Sequence, residues 1–272
     1  MVEIEEGQVW TSGDGYEMYV GRWSRLVATE FLSWLRAPTG ASWLDVGCGT
    51  GALTSAILAS SQPSSIQGVD PSEAFLGHAR AVVRDDRAAF DIGDAAALPF
   101  ADGSYGAVVS GLALNFVSEP SAALAEMRRV GTPGGVVAAY VWDYAGKMEM
   151  MRYFWVAAAE LDRLAEAADE GARFAICRRD ALADAFESAG LDRVEVDPID
   201  VPTVFRDFDD FWNPFLAGQG PAPAYNMSLS DNQRTSLREL LRSRLPVERD
   251  GSIHLVARAW AARGHVPTAR AS

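Results

Sequence analysis

Nine residues near the start of the chain, Trp43-Leu44-Asp45-Val46-Gly47-Cys48-Gly49-Thr50-Gly51, constrain its fold more than any other stretch. Trp43 to Val46 is a short apolar run carrying one acid, the pattern of a buried strand. Gly47, Gly49 and Gly51 then recur with period two, and the helix-forming run Ala52 to Ala59 follows. Strand, glycine turn and helix in that order make the βα unit of a parallel sheet. Its turn lets a ligand approach the carboxyl end of the strand without a Cβ in the way. The spacing is G-x-G-x-G, one residue shorter than the G-x-G-x-x-G that seats a pyrophosphate on a helix N-terminus.

The flanking sequence repeats the alternation. Ser65 to Val69 is a second strand ending at Asp70, 19 residues after Gly51. Pro71 and Ser72 open a helix over Glu73 to Val83, with Ser72 as its cap. His78, within that helix, reads as a structural histidine. Ala88 to Ile92 is a third strand, followed by Gly93-Asp94-Ala95, and Tyr105 to Ser110 a fourth. A mostly apolar loop, Gly111 to Val117, leads to a helix over Ser121 to Val130. Thr132-Pro133-Gly134-Gly135 stops that helix, and Val136 to Trp142 is a fully apolar central strand. Strands alternating with helices in this way predict a doubly wound α/β sheet.

The ends are less regular. Apolar residues from Tyr16 to Leu35 fall at helical spacing, and Pro38-Thr39-Gly40 ends that segment. After Trp142 an amphipathic helix is expected over Lys147 to Ala168, with Met148, Met151, Phe154, Trp155, Ala158, Leu161 and Leu164 on one side. A helix over Arg179 to Ala189 and strands over Leu191 to Val196 and Ser252 to Ala261 follow. Between those strands lie Phe205, Phe208, Phe211, Trp212 and Phe215, then a Gly/Pro-rich stretch and a helix over Leu229 to Leu245. This aromatic insertion is either a lid that excludes water from an apolar substrate or an enlarged core or dimer face. The expected layout is a helical cap at 1–40, a core at 41–142, a helical insertion at 143–178, a core helix and strand at 179–197, the aromatic-rich lid at 198–251, and a last strand and tail at 252–272.

Charge narrows the partners. The formal net charge is -13, and no Lys/Arg cluster interrupts it. Such a surface repels phosphate backbones and anionic membranes, so a small-molecule substrate fits better than nucleic acid. No apolar run approaches the ~20 residues of a membrane span, and the acidic start lacks the pattern of a signal peptide. Cys48 and Cys177 are the only cysteines, read as free thiols in a reducing cytoplasm. No cysteines or histidines have metal-ligand spacing, so no metal is expected. A monomer or homodimer is compatible with all of this.

With these segments in place, a resemblance becomes specific. GVDPS, GDAAALPF, DGSYGAVVS, LALNFV and EMRRVGTPGG follow the glycine turn in the order and spacing of class I S-adenosylmethionine-dependent methyltransferases, in the type 11, quinone-biosynthesis-like branch. The resemblance covers roughly residues 41–142. It implies a Rossmann-like seven-stranded sheet whose last two strands form an antiparallel hairpin, with S-adenosylmethionine as cofactor. It places Gly47, Cys48 and Gly49 along the cofactor's amino-acid part and Asp45 near its ammonium group. Asp70 takes the ribose hydroxyls, Pro71 and Ser72 flank the adenine, Asp94 and Ala95 read its edge, and Leu112 passes beside the sulfonium. Tyr19 and Arg22 resemble the pair that relatives use on the methionine carboxylate. Relatives often carry a His-His pair after the fourth strand. Here Asn115-Phe116 stands there, so Asn115 is expected to orient substrate by hydrogen bonding rather than act as a base.

The implied reaction is methyl transfer to O, N or C of a small aromatic or apolar molecule. Two alternatives remain at this stage: a protein of the same fold that holds the cofactor structurally or for a non-methylating reaction, and a nicotinamide-dependent oxidoreductase. Other polar candidates near the mouth are Tyr16, Asp143, Tyr144 and Tyr225.

Overall fold

A computed structural model describes residues 21–217 and 220–268. Tyr16 and Tyr19 lie outside the described residues. The chain divides into two compact units. A sheet unit takes Ser24–Trp142, Ile176–Ile199 and the chain from Ala259 onward; a helical unit takes the chain up to Trp23, Asp143–Ala175 and Asp200–Arg258.

The strands are β1 (Ser42–Val46), β2 (Ser65–Asp70), β3 (Ala88–Ile92), β4 (Tyr105–Gly111), β5 (Gly131–Trp142), β6 (Asp192–Phe205) and β7 (Ile253–His265). They form one sheet of order β3-β2-β1-β4-β5-β7-β6. β1 pairs in parallel with β2 and β4, and β5 in parallel with β4. β7 returns antiparallel to β5, from Val136↔His265 to Trp142↔Ala259. This is the mixed, Rossmann-like sheet that the alternation and the resemblance imply. Chain order reverses between β1 and β4, so ligand space is expected outside the carboxyl ends of these neighbours.

Burial explains why these segments are strands. Leu44 and Val46 in β1, Val108 and Val109 in β4 and Val137 to Val141 in β5 are all buried, as central parallel strands require. The helices of this unit are α1 (Arg22–Leu35), whose first two residues count with the other unit, α2 (Ala52–Ser60), α3 (Glu73–Val82) and α4 (Pro120–Val130). α1 buries Val27, Phe31 and Leu35, with the Phe31 ring 4.6 Å from Tyr140 of β5. Ser72 caps α3 by accepting from Phe75 N, and Pro120 opens α4, where its missing N–H costs nothing.

The helical unit is built from α5 (Glu149–Leu161) and α6 (Glu170–Arg173), then α8 (Phe208–Trp212), α9 (Pro221–Ser228) and α10 (Asp231–Arg244); α7 (Arg179–Ser188) belongs to the sheet unit. Its aromatic residues pack on one another. Phe154 stacks on Phe215 at 4.5 Å, Phe205 meets Phe211 edge-on at 5.3 Å, and Trp212 lies 6.2 Å from Phe215. These rings form a second apolar core.

Several element boundaries depart from expectation. β5 starts at Gly131 rather than Val136, so Thr132-Pro133-Gly134-Gly135, expected only to stop the helix before it, lies within the strand. The helix expected over Lys147 to Ala168 ends at Leu161, because Asp162 turns its side chain to accept from Leu164 N and starts a separate 3-10 turn, Arg163–Ala167. Leu164, expected on the apolar side, is 81% exposed. β6 does not stop at Val196 but continues to Phe205 through Pro198 and Pro202, so 198–205 is strand. An edge strand tolerates prolines because half of its N–H groups have no ladder partner to lose. β7 runs on to His265 beside β5. Among the described residues no helix is long and apolar enough to cross a membrane.

Candidate functional site

The turn after β1 holds its shape through left-handed backbone. Gly47 has φ 72° and Gly49 φ 53°. A Cβ on Gly47 would stand 2.5 Å from the Ala113 Cβ, so glycine is the residue that fits. A Cβ on Gly49 would meet nothing within 4 Å; the space in front of it is open. The N–H groups of Gly47 and Cys48 both donate to the Val69 carbonyl, at 2.8 and 3.0 Å, tying the turn to the end of β2. The Cys48 side chain turns away into an apolar cluster with Leu76, Ala79 and Phe90. Only its backbone is left to face a ligand. Burial, with the charges of Asp45 and Asp70, pushes its thiol well above the ordinary range, so it is inert as a nucleophile. Cys177 is also a buried free thiol.

Asp45 is completely buried beneath the turn. Its Oδ2 accepts from the Thr54 hydroxyl at 2.7 Å, and its Oδ1 has no partner. Burial pushes its pKa up to about 7; the Thr54 hydrogen bond opposes the rise, and the charge of Asp70 adds to it. Asp70 closes β2 and is 7% exposed. Its Oδ2 accepts from Gly49 N at 3.0 Å and its Oδ1 from Ser72 N at 2.9 Å. The carboxylate thus ties the glycine turn to the start of α3 and keeps one acceptor site on each oxygen for a further donor. Burial raises its pKa too, against these two backbone bonds.

The remaining positions spread around this centre. Pro71 is exposed, and Ser72 and Ala95 are half-buried. Asp94 is exposed, and its Oδ1 accepts from Ala96 N at 2.9 Å. Leu112 holds a left-handed backbone, φ 57°, while its N–H donates to the Tyr140 carbonyl at 2.8 Å. A non-glycine residue in that region is strained and persists where its surroundings fix it. Three residues on, Asn115 is 7% exposed in the 3-10 turn Leu114–Phe116, and its Nδ2 has no partner.

Arg22 belongs to the helical unit. Its NH1 donates to both oxygens of Asp210, at 3.2 and 3.3 Å, and its guanidinium lies over the rings of Trp23 and Phe205. Its Nε and NH2 are buried without partners. Asp143 makes a turn by accepting from Lys147 N. Tyr144 is buried, and Tyr225 packs near Phe154 and Trp155.

Sequence reasoning missed Thr54, Ala113 and the Val69 carbonyl. Thr54 had a weak signal, as one of two adjacent polar residues, Thr54 and Ser55, in an otherwise mostly apolar α2. The other two act only through space.

The glycine turn at the switch point, with an acid below it and another at the end of β2, defines the cofactor half of a class I methyltransferase. Residues 44–139 match the family model described as a methyltransferase domain, Methyltransf_11, and the chain carries an S-adenosylmethionine-dependent methyltransferase domain of this family. The 2-methyl-6-phytyl-1,4-hydroquinone methyltransferase of Synechocystis sp. is 30% identical over 186 residues, which is 67% of this chain and 57% of that protein. The demethylmenaquinone methyltransferase of Renibacterium salmoninarum is 42% identical over 118 residues, 42% of this chain and 45% of that protein. The chain thus spans about half the length of these curated relatives. Among solved structures, the YcgJ protein from Bacillus subtilis has a TM-score of 0.59 at 15% identity, covering 91% of this chain and all of that one, which shows the shared fold.

The site fits the family's cofactor. A buried acid with one unpartnered oxygen suits a ligand cation, and the open space before Gly49 admits a group that a side chain would displace.

Proposed function

We propose that this chain transfers a methyl group from S-adenosylmethionine to O, N or C of a small aromatic or apolar molecule. The observation that carries the reading is the unpartnered, fully buried oxygen of Asp45 beneath the glycine turn. Desolvation of a carboxyl group is costly unless a cation or donor answers it. The cofactor supplies an electrophilic methyl group on a sulfonium. The chain's own residues bind, orient and exclude water. Asp45 favours the cationic ligand, and the free acceptor sites of Asp70 suit two neighbouring hydroxyls. Pro71, Ser72, Asp94 and Ala95 take the adenine, and Leu112 covers the sulfonium. For Arg22, two buried N–H groups without partners support a carboxylate ligand.

Asn115 is proposed to orient the acceptor molecule. Its Nδ2 is buried and unpaired, and a substrate oxygen is the group that would satisfy it. The hydroquinone and demethylmenaquinone in the relatives' names are oxygen-bearing ring compounds, which agrees with a single amide donor at this place.

Isothermal titration with S-adenosylhomocysteine tests the reading. Saturable binding below millimolar concentration is expected, with Asp70→Ala weakening it by at least about tenfold, since both hydroxyl contacts are lost and each charge-assisted hydrogen bond is worth about 1.5 kcal/mol or more. No heat at millimolar ligand would end the proposal. Asn115→Ala should leave this affinity unchanged and lower turnover on hydroquinone acceptors.

A further inference from the structure

The helical unit contains a cavity of its own, about 280 Å³, walled by α5, α9 and α10. That is just under the ~300 Å³ at which small-molecule pockets usually begin, and it has room for one ring rather than several. Ala158, Leu161 and Leu237 give it an apolar wall, and Asp162, Tyr225 and Asn232 bring polar groups to it. None of the lining side chains is cationic.

Asp162 uses one oxygen, Oδ1, to accept from Leu164 N at 2.9 Å. Among the described residues no donor reaches its other oxygen. Tyr225 is held by its neighbours, its ring 5.4 Å from Trp155 and 6.2 Å from Phe154. Its hydroxyl also lacks a partner among the described residues. Burial and then the charge of Asp162 raise its pKa, so the carboxylate's field reaches the phenol. Leu161, 49% exposed, stands at the rim as an apolar lip.

We propose that this cavity binds a small protonated amine with an apolar, ring-sized body. The ammonium pairs with the free oxygen of Asp162, the Tyr225 ring offers a π face to the cation or to the ligand's own ring, and the body rests on Ala158 and Leu237. An anion would meet an unanswered carboxylate. The lining comes wholly from the helical unit and includes no residue of the glycine turn, so the proposal does not depend on the reading of that turn.

Phenethylamine is the probe, titrated into the full chain with and without saturating S-adenosylhomocysteine. One site with a Kd of about 1 mM or tighter is expected, and 3-phenylpropionate should bind at least about tenfold more weakly. Asp162→Asn removes the charge but keeps the cap, because an asparagine oxygen accepts from Leu164 N equally well. It should lower phenethylamine affinity at least about tenfold. Ser236→Trp, at an exposed position on the cavity wall, should abolish binding without disturbing the core. Equal binding of the acid and the amine, unchanged affinity in both variants, or no saturation at about 20 mM amine would overturn the proposal.

Discussion

At the residue scale, Asp45 is the fully buried acid under the glycine turn. Its folded-state pKa of about 7 lies above the ordinary 3.8. Between those values the folded protein holds a proton that the unfolded chain has released. Stability contributed by this group is therefore lost as pH rises from about 4 to 7, with a slope of up to about 1.4 kcal/mol per pH unit, and is level above 7. Asp45→Asn keeps an acceptor for Thr54 and carries no charge. Chemical denaturation from pH 5 to 8 should show the variant with a flatter profile and higher stability at pH 8. Cofactor affinity should move the other way: it rises in wild type as pH passes 7 and stays low and flat in the variant. Calorimetry in two buffers of different ionisation heat should also show proton release on binding in wild type alone. Gly47→Ala tests the turn itself. Its left-handed backbone and the 2.5 Å approach to the Ala113 Cβ should cost about 1–3 kcal/mol, read as a lower midpoint in denaturant.

At the scale of elements, the helical unit depends on another buried acid. Glu170, 2% exposed at the start of α6, accepts from the Trp155 indole of α5 and from backbone N–H groups, including that of Ala222 in α9. One carboxyl group thus joins three helices. Burial, chiefly, pushes its pKa up to about 7. Trp155→Phe removes the indole donor and leaves part of the carboxyl unanswered, so a loss of about 1–3 kcal/mol is expected by denaturation, beyond the small change in ring volume. Glu170→Gln should tolerate pH 8 better than wild type does, by the same sign as Asp45.

Elements also show what could be read from sequence. β1, β2 and β3 were legible to within a residue as short, mostly apolar runs between turn residues; β1 and β2 are largely buried, whereas β3, at the sheet edge, buries only Phe90. β6 was not: Pro198 and Pro202 look like breakers until the strand is known to lie at an edge. The helix expected to pass Asp162 ended there because the same side chain that reads as a surface acid can cap a new turn. Around the glycine turn, the glycines and Asp70 were visible as spacing and Asp94 only through the family resemblance, whereas Thr54 and Ala113 matter only through contacts that folding creates.

At the scale of the whole molecule, each unit is discontinuous in sequence. The sheet unit takes β7 from the chain beyond Ala259, and that strand pairs with β5 along seven residue pairs. A fragment of residues 24–142 would contain the matched family domain but leave β5 as a bare edge, apolar from Val136 to Trp142. Such a fragment is expected to aggregate on expression, read by light scattering, whereas the full chain stays dispersed. The threading of β7 has a further consequence for the order of events in synthesis. β5 leaves the ribosome more than a hundred residues before its partner does. At ~5–20 residues per second the nascent chain waits several seconds or longer with that ladder open. A translating ribosome thus exposes a sticky intermediate on every copy it makes, and chaperone demand during expression should fall on that interval rather than on the finished protein.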